Sequence, residues 1–130
     1  MNGQLYPQKA QKGHGMIEHP RRGEIYLVNL PSKPKDIKSR PALVVSLDIR
    51  NKLANDIIVV PLSTNLRLAP THVLLQKGDG GLSKASMAKC EQVTTIDKSL
   101  LIKGPFAGRI SDEKMNEIER AIMVAIGVIV

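Results

Sequence analysis

Between residues 24 and 110 the apolar residues fall in short runs, each closed by glycine, proline or charged residues. Runs this short, rich in Val, Ile and Leu, predict strands rather than helices. The first is Glu24-Ile25-Tyr26-Leu27-Val28-Asn29-Leu30. Pro31 to Ser39, with prolines and lysines, reads as an exposed loop. Pro41 cannot donate to a ladder, so it predicts the start of a second strand, Ala42 to Leu47. Asp48 to Asp56 reads as a polar turn region. Ile57 to Leu62 is a third strand, apolar on both faces, and Pro61 marks an edge or a bulge in it. Further strands are expected at Thr71–Leu75, Ser86–Val93 and Phe106–Ile110. Lys77 to Gly81 is a turn between them, and Asp97 to Leu100 a short helical turn.

Helical spacing emerges only at the end of the chain. Met115, Ile118, Ile122 and Ala125 recur three and four apart, which gives one apolar face. Ser111 is a suitable N-cap, and Asp112 and Glu113 suit the positive end of the helix dipole. The helix is expected from Ser111 to about Gly127. Several short strands and one terminal helix predict a mostly β fold, a small β-barrel with the helix packed against it. Met1 to Pro20 shows no apolar period, so residues 1–20 are expected to be a flexible extension and residues 21–130 the domain. Met16 is an alternative start.

Composition narrows the chemistry. The chain has 130 residues, enough for one domain with a modest core. Aromatic residues are 2% of it, so the core must be aliphatic. A net charge of +7 favours an anionic partner: nucleic acid, an acidic protein or an anionic surface. The single cysteine, Cys90, excludes an internal disulfide and a thiolate metal cluster, and fits a reducing cytoplasm. No stretch reaches the ~18–20 apolar residues of a membrane span, and no signal-peptide pattern is present.

Catalytic groups are few. His14 and His19 fall in the expected extension, and His72 within a strand pattern, where it reads as structural. There is no HExxH, no paired CxxC and no acidic cluster for magnesium, so no metal or other cofactor is expected. Cys90 reads as a small buried hydrophobe. Arginine and hydroxyl chemistry remains. RNA carries its own nucleophile, the 2′-OH. Cleavage then needs that hydroxyl held in line and the charge on a pentavalent phosphorus stabilised. Arg40, held by Pro41 before a strand, and Ser63, at the end of another, have those roles available if the two strands lie side by side.

The order of segments adds a resemblance. It rests on Arg22-Gly23-Glu24-Ile25-Tyr26, Arg40-Pro41-Ala42-Leu43-Val44-Val45 and Val59-Val60-Pro61-Leu62-Ser63-Thr64. It continues through Pro70-Thr71-His72-Val73, Cys90-Glu91-Gln92, Thr95-Ile96-Asp97-Lys98 and Gly108-Arg109-Ile110-Ser111. In these the chain resembles the MazF/PemK family of toxin endoribonucleases, over about residues 21–127. The resemblance implies an SH3-like β-barrel with a C-terminal α-helix, working as a homodimer in the cytoplasm. It implies metal-independent, sequence-selective cleavage of single-stranded RNA, and neutralisation by a small acidic antitoxin. It makes Arg40 and Ser63 the catalytic pair, with Thr64, Asn65, Lys38, Asp36 and Gln92 contacting RNA. Two positions depart from the family pattern. The loop before Arg40 lacks the Gly-Ser-Glu-Gln of many members, leaving Asp36 as the nearest carboxylate for a general base, and Thr94 stands where an arginine is common. Two alternatives share the fold: a gyrase poison like CcdB, and a degenerate member that only binds nucleic acid or antitoxin.

Overall fold

The computed structural model describes residues 19–33 and 36–130. Most of the expected extension, residues 1–18, lies outside the described residues. Strands β1 (Ile25–Lys33) and β2 (Asp36–Val44) are followed by a short helix, α1 (Asp48–Leu53), and by β3 (Asp56–Ser63). Strands β4 (His72–Leu75), β5 (Ser86–Lys89), β6 (Thr94–Asp97) and β7 (Leu101–Lys103) lead to the terminal helix α2 (Asp112–Ala125). The strands form one sheet in the order β4-β5-β3-β2-β1-β7, with β6 also on β3. All pairs are antiparallel. Among the described residues β4 and β7 do not pair with each other, so the barrel is an open one. The expected mostly β fold with a C-terminal helix is present.

Alternation along the central strands explains why the sheet is buried on both faces. On β3, Ile57 and Val59 point to one face and Val60 and Leu62 to the other. The second face meets α2 through Met115, Ile118 and Ala121. The first is closed by Tyr26, Val28, Leu30, Ala42, Val44 and Ile96 as the sheet curves over itself. Each fully buried Ile, Leu or Val contributes about 1.5–3 kcal/mol. In α2 the Ser111 hydroxyl accepts from Lys114 N–H at 3.1 Å, the cap that its sequence predicts. The inner face takes Ala121, while Ala125 is only half-buried because the helix ends there; Gly127 turns the chain at φ +82°.

Six expectations change. Residues 31–33 and 36–39 are not a loop: β1 and β2 are nine-residue strands paired from Ile25↔Leu43 to Lys33↔Asp36. Pairing with β1 overrides the local lysine and proline content. Pro41 therefore sits inside β2, opposite Leu27, and not at its start. Its missing N–H removes no rung toward β3, because that ladder begins one residue later, at Ala42↔Pro61. Pro61 is neither on an edge strand nor at a bulge: β3 has β2 on one side and β5 with β6 on the other. Pro61 lies where that second side is interrupted, between the β6 pairs ending at Val59 and the β5 pairs starting at Leu62. The expected strand Ser86–Val93 is accordingly split. It stops at Lys89, a 3-10 turn, Cys90–Gln92, intervenes, and β6 resumes at Thr94.

Phe106–Ile110 is not a strand. Phe106 N–H bonds Ile25 C=O and Ile110 N–H bonds Gly23 C=O, both at 3.0 Å, but Gly108 between them adopts φ +62° and breaks the extended run. Asp48–Leu53, expected as a turn, closes into α1. Asn51 on its inner side is fully buried, its amide donating to Ser46 C=O at 3.0 Å. Ser46 Oγ donates to Asn51 Oδ1 and accepts from Ile58 N–H at 3.0 Å, which fixes α1 against β3. The helical turn expected at 97–100 is present as a 3-10 turn, Lys98–Leu100, capped by Asp97.

Candidate RNA-cleaving site

The β2–β3 ladder runs through Val44↔Val59, Leu43↔Val60 and Ala42↔Pro61, and then stops. Continued two positions further, the same register sets Arg40 level with Ser63. Beyond Ala42 the strands part: β2 keeps β1, with Val28 opposite Arg40, while β3 turns to β5, with Met87 opposite Ser63. The two sequence-predicted catalytic residues therefore face one opening in the sheet, each on a strand held by another neighbour. Each is fixed by its own ladder, not by contact with the other.

Arg40 is half-buried and, among the described residues, its guanidinium makes no hydrogen bond or ion pair. A fork of donors without a partner suits two oxygens of one phosphate. Ser63 Oγ accepts from Asn65 N–H at 3.1 Å, a local turn bond. That bond uses a lone pair and leaves the hydroxyl proton for an acceptor. Thr64 and Asn65 follow on the surface, both exposed. Lys38 and Asp36 lie on β2, with Leu30 opposite Lys38 and Lys33 opposite Asp36. Gln92 is exposed at the end of the Cys90–Gln92 turn, reached from β5.

A tie between these segments escapes the sequence. His72 Nδ1 lies 2.8 Å from Arg67 C=O, and Nε2 lies 3.1 Å from Glu91 Oε2. Thr71 Oγ1 donates to the other Glu91 oxygen at 2.8 Å. Burial pushes the Glu91 carboxyl up. Its own backbone N–H, Thr71 and His72 outweigh that and hold it below the ordinary range. Both motifs that carry these residues were visible, but not that they meet. Cys90 is fully buried, and burial followed by the Glu91 charge pushes its thiol up to about 12, so it is no nucleophile.

A separate groove of about 590 Å³ is lined by Arg22, Asp48, Arg109, Ser111, Asn116 and Glu119, among others, and includes neither Arg40 nor Ser63. Its floor is already paired: Arg22 donates to Val45 C=O and to Glu119, and its N–H to Asp48 at 2.7 Å. This groove is distinct from the opening beside Arg40.

An open antiparallel sheet with one terminal helix, bearing an arginine and a hydroxyl where two strands part, defines a class of small, barrel-like β proteins. The profile of the PemK-like, MazF-like toxins of type II toxin–antitoxin systems matches residues 21–126, and the chain belongs to that family. It is 32% identical over 111 residues to an endoribonuclease MazF of Staphylococcus saprophyticus, covering 82% of this chain and 91% of that one. Among solved structures it is similar to a mycobacterial endoribonuclease in complex with its cognate antitoxin. That match has a TM-score of 0.70 and 28% identity, over 85% of this chain and 98% of the other. MazF from Deinococcus radiodurans, at 17% identity, shares the fold with a TM-score of 0.70 over 85% and 98% of the two chains.

Proposed function

We propose that this chain is the toxin of a toxin–antitoxin pair and cuts single-stranded RNA as an endoribonuclease. The register that sets Arg40 level with Ser63, where β2 and β3 part, carries the reading. Its family membership and its endoribonuclease relatives support it.

In this mechanism the RNA 2′-oxygen attacks the adjacent phosphorus, and the 5′-oxygen leaves with a proton. The product is a 2′,3′-cyclic phosphate and a 5′-hydroxyl. Arg40 neutralises the charge that builds on the non-bridging oxygens, and the Ser63 hydroxyl donates to one of them. Thr64, Asn65 and Gln92 contact the RNA, with Lys38 and Asp36 from β2 as further contacts. Asp36 is the carboxylate nearest in sequence to Arg40 for the general base. Catalysis needs no metal, because the nucleophile is internal and the charge is met by Arg40.

The net charge of +7 suits both the RNA and an acidic antitoxin segment. The toxin works as a homodimer; exposed Leu47, Ile49 and Leu53 by α1, and Ile126 and Val128 after α2, give it apolar surface to bury. It acts in the cytoplasm, where its RNA substrate is. Among the described residues no helix is long and apolar enough to cross a membrane.

The test incubates purified protein with single-stranded RNA in EDTA and sequences the fragment ends. Cyclic or 3′-phosphate ends with 5′-hydroxyls are expected, and none with Arg40→Ala. Intact RNA together with gyrase-dependent DNA breaks would instead favour a gyrase poison of the same fold.

A further inference from the structure

His72 reaches two segments through its two ring nitrogens. Nδ1 lies 2.8 Å from Arg67 C=O, and Nε2 lies 3.1 Å from Glu91 Oε2. Burial pushes the Glu91 carboxyl up, but its own backbone N–H, Thr71 and His72 outweigh that. The His72 side chain is only 8% exposed, so the ring is packed between its two partners.

We propose that His72 acts as a positioning residue, pinning the segment that carries Thr64 and Asn65 to the turn that carries Gln92. This rests on the reading that those residues hold RNA. The segment from Ser63 to His72 has no regular secondary structure between Asn65 and Ala69. At its far end Thr71 is tied to the turn, by its hydroxyl to Glu91 at 2.8 Å and by its C=O to Cys90 N–H at 2.9 Å. Nearer Thr64 and Asn65, the described ties are the Asn65–Ser63 bond, His72 N–H to Ala69 C=O at 3.0 Å, and the grip of the ring on Arg67 C=O. The far side of the ring meets Glu91, the neighbour of Gln92. One ring thus spans the two segments and carries the tie back to Arg67.

The charged and titratable groups around it come from every neighbouring element. Glu91 contacts the ring from the turn, and Arg67 lies in the held loop. Lys89 stands opposite His72 on β5. From α2, Lys114 donates to Leu74 C=O at 3.0 Å and pairs with Glu117 at 3.4 Å. Cys90 remains a neutral thiol. Glu91 is thus the charged group in contact with the ring.

The test uses the full chain with two variants: His72→Phe, which removes both ring contacts, and Glu91→Gln, a near-isosteric change that removes the charge facing Nε2. His72→Phe and Glu91→Gln should speed amide exchange over residues 64–69 and raise KM for a cleavable oligonucleotide, each about tenfold, with kcat within about twofold. Unchanged exchange and unchanged KM in both variants sink the positioning role. If the wild type cuts no RNA, the nuclease reading fails, while amide exchange still decides whether the pin exists.

Discussion

The Asn65 N–H donates to Ser63 Oγ at 3.1 Å, and this bond aims the serine hydroxyl. It is a local turn, closed within two residues, so it forms wherever β3 ends. It also sets what a substitution should do. Ser63→Ala removes both the acceptor for Asn65 and the proposed donor for phosphate, while Ser63→Thr keeps both. Removing one donor from a developing oxyanion costs about 10²–10³ in rate. Ser63→Ala should therefore lower kcat by about that factor, and Ser63→Thr by less than tenfold, in a single-turnover oligonucleotide assay. Equal losses in the two variants would show that the hydroxyl has no part in the chemistry.

Arg40 should tolerate no replacement. Lysine keeps the charge but loses the fork that binds two oxygens. Arg40→Lys is expected to lose about 10²-fold or more in kcat/KM, and Arg40→Ala more still. Neither should shift Tm much, because among the described residues the guanidinium has no partner to lose. Thermal melts beside the kinetics separate the two effects. A large fall in Tm would make Arg40 a structural residue.

How much of this was legible in the sequence depends on where each signal lies. The Ile57–Leu62 run and the Ser111 cap are local, and the strand and the helix stand where those residues put them. The Arg40–Ser63 relationship was half legible. Both residues were visible at strand boundaries, but their register depends on where the β2–β3 ladder starts and stops. The lysines and prolines of residues 31–39 spell a loop, yet 31–33 and 36–39 lie in strands that pair with each other. Helix α1 hid for a similar reason: its one buried residue is polar Asn51, which no apolar period reveals. His72 and Glu91, 19 residues apart, were read separately, because nothing local brings a strand residue onto a distant turn.

The Ser46–Asn51 pair gives a stability prediction that leaves activity alone. Asn51 is fully buried, and its amide satisfies both the carbonyl and the hydroxyl of Ser46. Asn51→Ala removes the donor to the Ser46 carbonyl and the acceptor of the Ser46 hydroxyl proton, while the hydroxyl keeps its bond from Ile58 N–H, so the loss is about 1–3 kcal/mol in all. The urea midpoint should fall accordingly, with α1 the first element to lose amide protection. Cleavage below the new midpoint should be unchanged, since α1 contributes none of the candidate site residues.

Acid should weaken the fold through two carboxylates. Hydrogen bonds hold Glu91 and Asp97 below their ordinary values of 4.5 and 3.8. For Glu91, burial opposes this and the donors outweigh it; for Asp97, the Ser99 N–H is the main cause. A carboxyl with a lowered folded-state pKa stabilises the fold above its unfolded value and loses that contribution as pH falls through the folded one. Urea midpoints should therefore hold near neutrality and decline below about pH 4.5. Glu91→Gln and Asp97→Asn should each flatten part of that decline. A decline of unchanged steepness in the double variant would assign acid lability to other groups.

Cys90 makes the opposite prediction in alkali. Burial, and then the charge of Glu91, push its thiol up to about 12 from an ordinary value of 9.0. The raised value means that the folded chain holds the proton more tightly than the unfolded chain. The stabilisation is complete below about pH 9 and is lost as pH climbs toward 12. At pH 8 the native thiol should react with an aromatic disulfide reagent at least about tenfold more slowly than in 6 M guanidinium, because little of it is thiolate and none of the residue is exposed. Cys90→Ala should remove the alkaline slope, at the cost of a small cavity beside Val60 and Ala88. Rapid native labelling at pH 8 would mean that the Cys90–Gln92 turn opens far more often than its ladder neighbours. The tie between Glu91 and His72 would then be too weak to pin that turn.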